Sequence, residues 1–203
     1  MDRKTLRIAY RKKKNAIVQR LASFRNLPPE QQFAEFLFCT LTPQSDARRC
    51  WSATTEILAL PTLSKPALIR ILKTKTRFHN NKAAYVLYNQ QNWQVIREQL
   101  SNLEGVALRN WLSENVKGYG LKEASHFLRN IGLSQNKIAI LDRHILRNLH
   151  KHKVIKANDI SIKSKAHYIA LEKKFIGFAN KTGIPPDHLD LLFWSNETGE
   201  VFK

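Results

Sequence analysis

Val116-Lys117-Gly118-Tyr119-Gly120-Leu121-Lys122-Glu123-Ala124 places two glycines, one residue apart, just before a helical pattern, with a lysine in that helix's first turn. A glycine-hinged turn exposes backbone N–H groups at a helix start, where the helix dipole favours an anion such as a phosphate. The lysine opposes that dipole, and a residue that breaks a local rule is a candidate functional residue. Further along, Ala124, Phe127, Leu128 and Ile131 recur at core spacing. Lys122, Ser125, His126 and Arg129 form the opposite stripe, so Lys122 is expected to face a polar cleft or solvent rather than the core.

Asp142 lies twenty residues beyond Lys122, just ahead of the helical run Arg143, Ile145, Leu146 and Leu149, where it can serve as an N-cap. An amine must lose its proton to attack an electrophilic carbon. A nearby carboxylate can accept that proton or stabilise a cationic sugar as a base departs. A helix over 122–131 is about 15 Å long. The segment 132–141 spans up to about 33 Å when extended, so the chain allows the two residues to meet. On spacing alone, a solvated lysine and a plain helix cap remain open readings.

The 203 residues contain 34 Lys plus Arg against 16 Asp plus Glu, a formal net charge of +18. Such an excess points to a polyanion, with nucleic acid the leading partner and an anionic membrane surface the second. No run of apolar residues is long enough to span a membrane. Met1-Asp2-Arg3-Lys4 opens a basic amphipathic stretch without an apolar core or a small-residue cleavage site, so no signal peptide is expected and the location reads as cytoplasmic, with the nucleoid. Cys39 and Cys50 are too few for a four-cysteine zinc site or iron–sulfur cluster and read as buried thiols.

Helical periodicity runs throughout, with only 7 glycines and no convincing alternating strand. The expected helices cover 6–27, with Ile8, Ile17, Leu21 and Phe24 inward, and then a buried segment through Phe33, Phe36, Leu37 and Thr40. Next come a helix capped by Ser45 or Asp46 and running to about Leu60, and helices over 65–73, 81–100, 106–116 and 122–131. The segment 139–151 and a helix over 164–182 follow, and a last helix with a short tail ends the chain. The fold class is all-α, about ten short helices in one domain over 1–203.

Read together, Lys117-Gly118-Tyr119-Gly120-Leu121-Lys122-Glu123-Ala124 resembles the helix-hairpin-helix of the endonuclease III superfamily of DNA glycosylases. Ile138 to Arg147 resembles that superfamily's aspartate segment. The string 122–130 is similar to the archaeal-type 8-oxoguanine DNA glycosylase/lyases, the second 8-oxoguanine glycosylase family. Supporting strings are Leu41-Thr42-Pro43-Gln44-Ser45, Arg77-Phe78 with Asn81-Lys82-Ala83, and Leu189 to Gly199. A slightly longer loop over 133–137 departs from the pattern.

The resemblance implies a two-lobed helix-hairpin-helix glycosylase fold, with a middle lobe over roughly 42–110, the N-terminal helix packing with 111–203, and the hairpin at 111–132. It implies a bifunctional repair enzyme that excises 8-oxoguanine and cuts the strand by β-elimination. Lys122 would be the Schiff-base nucleophile, with Asp142 assisting. Phe78, Trp194 and the carboxylate of Lys203 would recognise the base, and Lys117, Gly118 and Gly120 would hold a phosphate. The basic residues Arg77, Lys82, Arg129, Arg143 and Arg147 read as further phosphate contacts. No metal or redox cofactor is expected, and the hairpin's backbone carbonyls leave room for a monovalent cation. The partner is double-stranded DNA containing oxidised guanine, bound by a monomer. Competing readings are a superfamily member for another damaged or mismatched base, a non-catalytic DNA-binding module, and a basic RNA-binding protein.

Overall fold

The computed structural model describes residues 3–203. Met1 and Asp2, the start of the stretch read as lacking a signal peptide, lie outside the described residues. The described residues form α-helices joined by short loops and two single 3-10 turns, and contain no strand. The helices are α1 (Arg3–Arg25), α2 (Gln32–Leu41), α3 (Ala47–Leu58), α4 (Lys65–Leu72), α5 (His79–Gln91), α6 (Trp93–Asn102), α7 (Gly105–Asn115), α8 (Leu121–Asn130), α9 (Arg143–Lys151), α10 (Lys165–Thr182) and α11 (Pro186–Thr198). None of them is long and apolar enough to cross a membrane.

Most boundaries follow local chemistry. Asp46 caps α3 by accepting from Arg49 N at 2.9 Å, and Ser64 and Ser164 cap α4 and α10 in the same way. The helix expected over 81–100 is two helices. Asn92 Nδ2 donates to Tyr88 O at 2.7 Å, and this local side-chain bond competes with the helical ladder and separates α5 from α6. Residues 138–142 lie outside any helix, and Asp142 caps the start of α9.

The chain divides into two compact units, and the boundary falls inside α8. The first consists of Pro28–Phe127. Its centre is Phe36 of α2, fully buried, with ring centroids 5.0 Å from Trp93, 5.1 Å from Tyr119 and 5.5 Å from Phe127. Such aromatic pairs contribute about 0.5–1.5 kcal/mol each beyond their burial. Tyr119, the residue between the two hairpin glycines, also donates its hydroxyl to Phe36 O at 2.9 Å. The hairpin is therefore riveted into this unit's core.

The second unit combines Met1–Leu27 with Leu128–Lys203. Its α1 turns Leu6, Ile17, Leu21 and Phe24 inward, whereas Ile8, expected there, is 45% exposed. At about 100° per residue, Leu6 falls about 20° from Ile17 around the helix and Ile8 about 180°. Polar anchors fix α1 on α11 and the end of α10. Arg7 Nε donates to Thr182 O at 2.8 Å, Tyr10 pairs with His188 Nδ1 at 2.8 Å, and Lys13 Nζ donates to Ser195 O at 2.7 Å. Gly132, in the turn after α8, has φ +77°, and a Cβ there would lie 2.6 Å from Arg25 Cα, so only glycine fits.

Candidate active site

The hairpin begins as α7 ends. Gly118 has φ +86°, and a Cβ on it would meet Tyr85 Cδ2 at 2.6 Å, so both its conformation and its space require glycine. Asn89 of α5 braces the turn from both sides, accepting from Lys117 N at 3.1 Å and donating to Lys117 O at 2.8 Å. Lys117 itself is exposed, with Nζ 4.6 Å from the centroid of the Tyr88 ring.

The start of α8 supplies its own acceptor. Glu123 Oε2 accepts from Gly120 N at 3.1 Å, and Glu123 Oε1 lies 3.6 Å from Lys122 Nζ. The carboxylate thus occupies an N–H that the sequence assigns to phosphate and neutralises a cation placed against the dipole. Lys122 keeps a side chain 21% exposed. The rest of its expected polar stripe does not face solvent: Ser125, His126 and Arg129 are all buried, because α8 is covered on every side past its first turn. His126 packs edge-on to Phe38, with ring centroids 5.5 Å apart.

Phe78 is also in this unit, 53% exposed and immediately before α5. Its backbone is left-handed, φ 58° and ψ 37°. A non-glycine residue pays about 1–2 kcal/mol for that conformation. An exposed aromatic ring held in a strained conformation is what a ligand-contacting residue looks like.

Two residues read as phosphate contacts are corrected by burial. Lys82, 3% exposed, donates to Leu41 O at 2.7 Å, Pro43 O at 2.9 Å and Ser45 Oγ at 2.9 Å. Burial pushes its amine down to about 8, and the Lys122 charge adds to this. Arg129, also 3% exposed, pairs with Asp190 Oδ2 at 3.3 Å and lies over the Phe24 ring. Both cations are spent on the fold. Arg77, Arg143 and Arg147 are exposed.

The remaining expected residues belong to the other unit. Asp142 is half-buried and caps α9, with Oδ1 accepting from Ile145 N at 2.8 Å. The segment leading to it is pinned to α10. Tyr168 donates its hydroxyl to Ala139 O at 2.6 Å and accepts from Leu141 N at 3.3 Å, and Glu172 Oε1 accepts from Ala139 N at 2.8 Å. Helix α9 is tied to α11 by Glu197, which pairs with His144 Nδ1 and accepts from Asn148 Nδ2 at 2.7 Å. Trp194 of α11 meets His144 edge-on, with ring centroids 6.0 Å apart. Lys203 is buried, with Nζ 5.8 Å from the Phe24 centroid. The expected residues thus form two sets: Phe78, Lys117, Gly118, Gly120 and Lys122 in one unit, and Asp142, Trp194 and Lys203 in the other. Among the described residues no three His, Cys, Asp or Glu side chains gather as a metal site would require.

The family profile of 8-oxoguanine DNA glycosylase matches residues 17–184. The 8-oxoguanine DNA glycosylase/AP lyase of Fusobacterium nucleatum is 36% identical, with the alignment covering 96% of this chain and 94% of that protein. The crystal structure of the Thermotoga maritima 8-oxoguanine DNA glycosylase superposes with a TM-score of 0.88 at 30% identity, covering 99% of this chain and 98% of that one. The Methanocaldococcus jannaschii 8-oxoguanine glycosylase/lyase, crystallised with a 15mer DNA containing 8-oxoguanine, gives a TM-score of 0.83 at 32% identity over 94% of this chain and 93% of that one. The hairpin, the lysine that follows it and the capped aspartate stand in a chain that belongs to the 8-oxoguanine DNA glycosylase/AP lyase family.

Proposed function

We propose that the protein excises 8-oxoguanine from double-stranded DNA and cuts the abasic strand, with Lys122 as nucleophile. The family match carries this reading, together with the half-open amine beside the hairpin. Lys122 Nζ attacks C1′ of the damaged nucleotide. The bond from C1′ to the base breaks, and the base leaves with the electron pair and takes up a proton. The sugar ring opens to an imine on Lys122. Loss of a C2′ proton then expels the 3′ phosphate by β-elimination, and water releases the enzyme.

Asp142 stabilises the positive charge on the sugar as the base departs, and its cap bond to Ile145 N holds the carboxylate in place for this. Phe78 and Trp194 offer apolar faces to the extruded base, and Lys203 reads its edge. 8-Oxoguanine differs from guanine in carrying an N7–H donor, which an acceptor can recognise. Lys117, Gly118 and Gly120 hold a backbone phosphate, and binding there requires Glu123 to release Gly120 N.

Borohydride trapping tests the reading, on a labelled duplex with one 8-oxoguanine opposite cytosine, an undamaged duplex and Lys122→Gln protein. A covalent complex formed only by wild-type protein with damaged DNA is expected. No trapping despite tight DNA binding would replace this reading with another lesion or a binding module. Asp142→Asn should slow excision about 100- to 1000-fold in single-turnover assays while DNA affinity holds. Asparagine still caps α9, so an unchanged rate would leave Asp142 as a cap alone.

A further inference from the structure

Two of the strings that supported the family resemblance meet at one buried amine. Lys82 Nζ donates to Leu41 O, Pro43 O and Ser45 Oγ, which fixes the loop between α2 and α3. Ser45 Oγ in turn accepts from Arg77 N at 2.9 Å. The backbone N of Lys82 donates to Phe78 O at 3.0 Å. The Lys82 side chain therefore reaches the peptide group that enters Arg77, one residue before Phe78, through Ser45, while the carbonyl of Phe78 is held by the first backbone bond of α5. Little else in the unit restrains Phe78: its ring is largely exposed, with Arg77 Cζ lying 5.7 Å from its centroid. A left-handed aromatic residue persists only where its surroundings over-determine it.

We propose that Lys82 and Ser45 form a buried clamp that holds Phe78 in its left-handed conformation, which makes them positioning residues for recognition of the damaged base. The proposal rests on the reading that Phe78 contacts that base. Lys82 shares its electrostatic field with Lys122, so the separation is read at the uncharged Ser45, whose part of the clamp serves base excision and not strand cutting at a site that has already lost its base.

The test compares single-turnover excision of 8-oxoguanine with cutting of a duplex that carries a preformed abasic site. Ser45→Ala removes one hydrogen-bond relay from a half-exposed position and leaves Lys82 in place. It should slow excision about 3- to 10-fold, the scale of one lost hydrogen bond, and leave abasic-site cutting within about twofold. Lys82→Met should slow excision about tenfold or more, and Lys82→Arg should not restore it, because a guanidinium cannot fit among these three acceptors. Phe78→Ala should slow excision at least as much. Adding Ser45→Ala to Phe78→Ala should cost nothing further, since the clamp then has nothing to hold.

Wild-type excision by Ser45→Ala and Lys82→Met, with Phe78→Ala impaired, would overturn the clamp. Equal losses of excision and abasic-site cutting in Ser45→Ala would also overturn it, by reducing the contact to a general structural one. An unimpaired Phe78→Ala would instead overturn the base-contact reading. If Lys82→Met does not fold, Ser45→Ala and the double variant still decide the question.

Discussion

Lys82 and Lys122 both stand within about one turn of a helix start in the same unit, and both oppose the helix dipole there. Lys82 is buried and donates to three oxygens at 2.7–2.9 Å. Lys122 is a fifth exposed and touches one carboxylate oxygen at 3.6 Å. An amine with all three N–H groups engaged is a structural cation. One with a single long contact can leave it for a substrate. The number and quality of acceptors, rather than the position against the dipole, separate the strut from the proposed reagent.

The most severe way to break that comparison is to remove the reagent. Lys122→Gln should lose imine trapping and strand cutting by about a thousandfold or more, with DNA affinity within a few-fold. Residual trapping there, abolished by adding Lys82→Met, would make Lys82 a reactive amine and erase the distinction. Next in size is stability. Lys82→Met takes the charged donor from Leu41 O, which keeps only the weak Cys50 S–H, and from the part-buried Pro43 O, and should cost about 1–3 kcal/mol in urea unfolding. Lys122→Gln should stay within about 0.5 kcal/mol. Equal costs would mean that Lys122 is a strut as well.

A smaller effect concerns Glu123, the acceptor that α8 provides for itself. Glu123→Ala frees Gly120 N and should cost about 1 kcal/mol, whereas Glu123→Gln keeps an oxygen for the cap and should cost less. Equal unfolding midpoints would show that the cap contributes nothing. A further expected signal is a pH slope. Burial holds Lys82 near 8 in the fold against 10.5 in the open chain, so the unfolded state binds a proton that the folded state gives up between those values. Wild-type stability relative to Lys82→Met should therefore rise from pH 8 to pH 10.5 and lose that gain as pH falls through 8. Cys50, raised by burial to about 11, adds the opposite slope to both proteins. A flat difference would place Lys82 outside a water-excluded site.

The two lysines also mark what the sequence could reveal. Lys122 stands out because it opposes the helix dipole, the two glycines because they open the turn before α8, and the cap at Asp142 because a capping residue followed by a helical run is a strong local signal. Phe78 was legible only through the family resemblance, since no pattern announces a left-handed phenylalanine. Lys82 was misread as a phosphate contact because lysines on helices usually face water. One signal stood against that: Lys82, Val86 and Asn89 recur at i, i+4 and i+7, and all three are buried on one face. The polar stripe of α8 failed for the opposite reason. Periodicity identifies two faces of a helix, but it cannot say that both will be covered, as they are around Ser125, His126 and Arg129.

The pairing of α1 with α11 also sets a timetable for the growing chain. Arg7 and Lys13 find their carbonyls 175 and 182 residues later. A ribosome adding about 5–20 residues per second leaves α1 without its partner for about 10–40 s. Over that interval Leu6, Ile17, Leu21 and Phe24 have no core to enter, while Pro28–Phe127 emerges as one continuous stretch able to condense by itself. The unit that carries Lys122 thus emerges whole before α1 has anything to fold against.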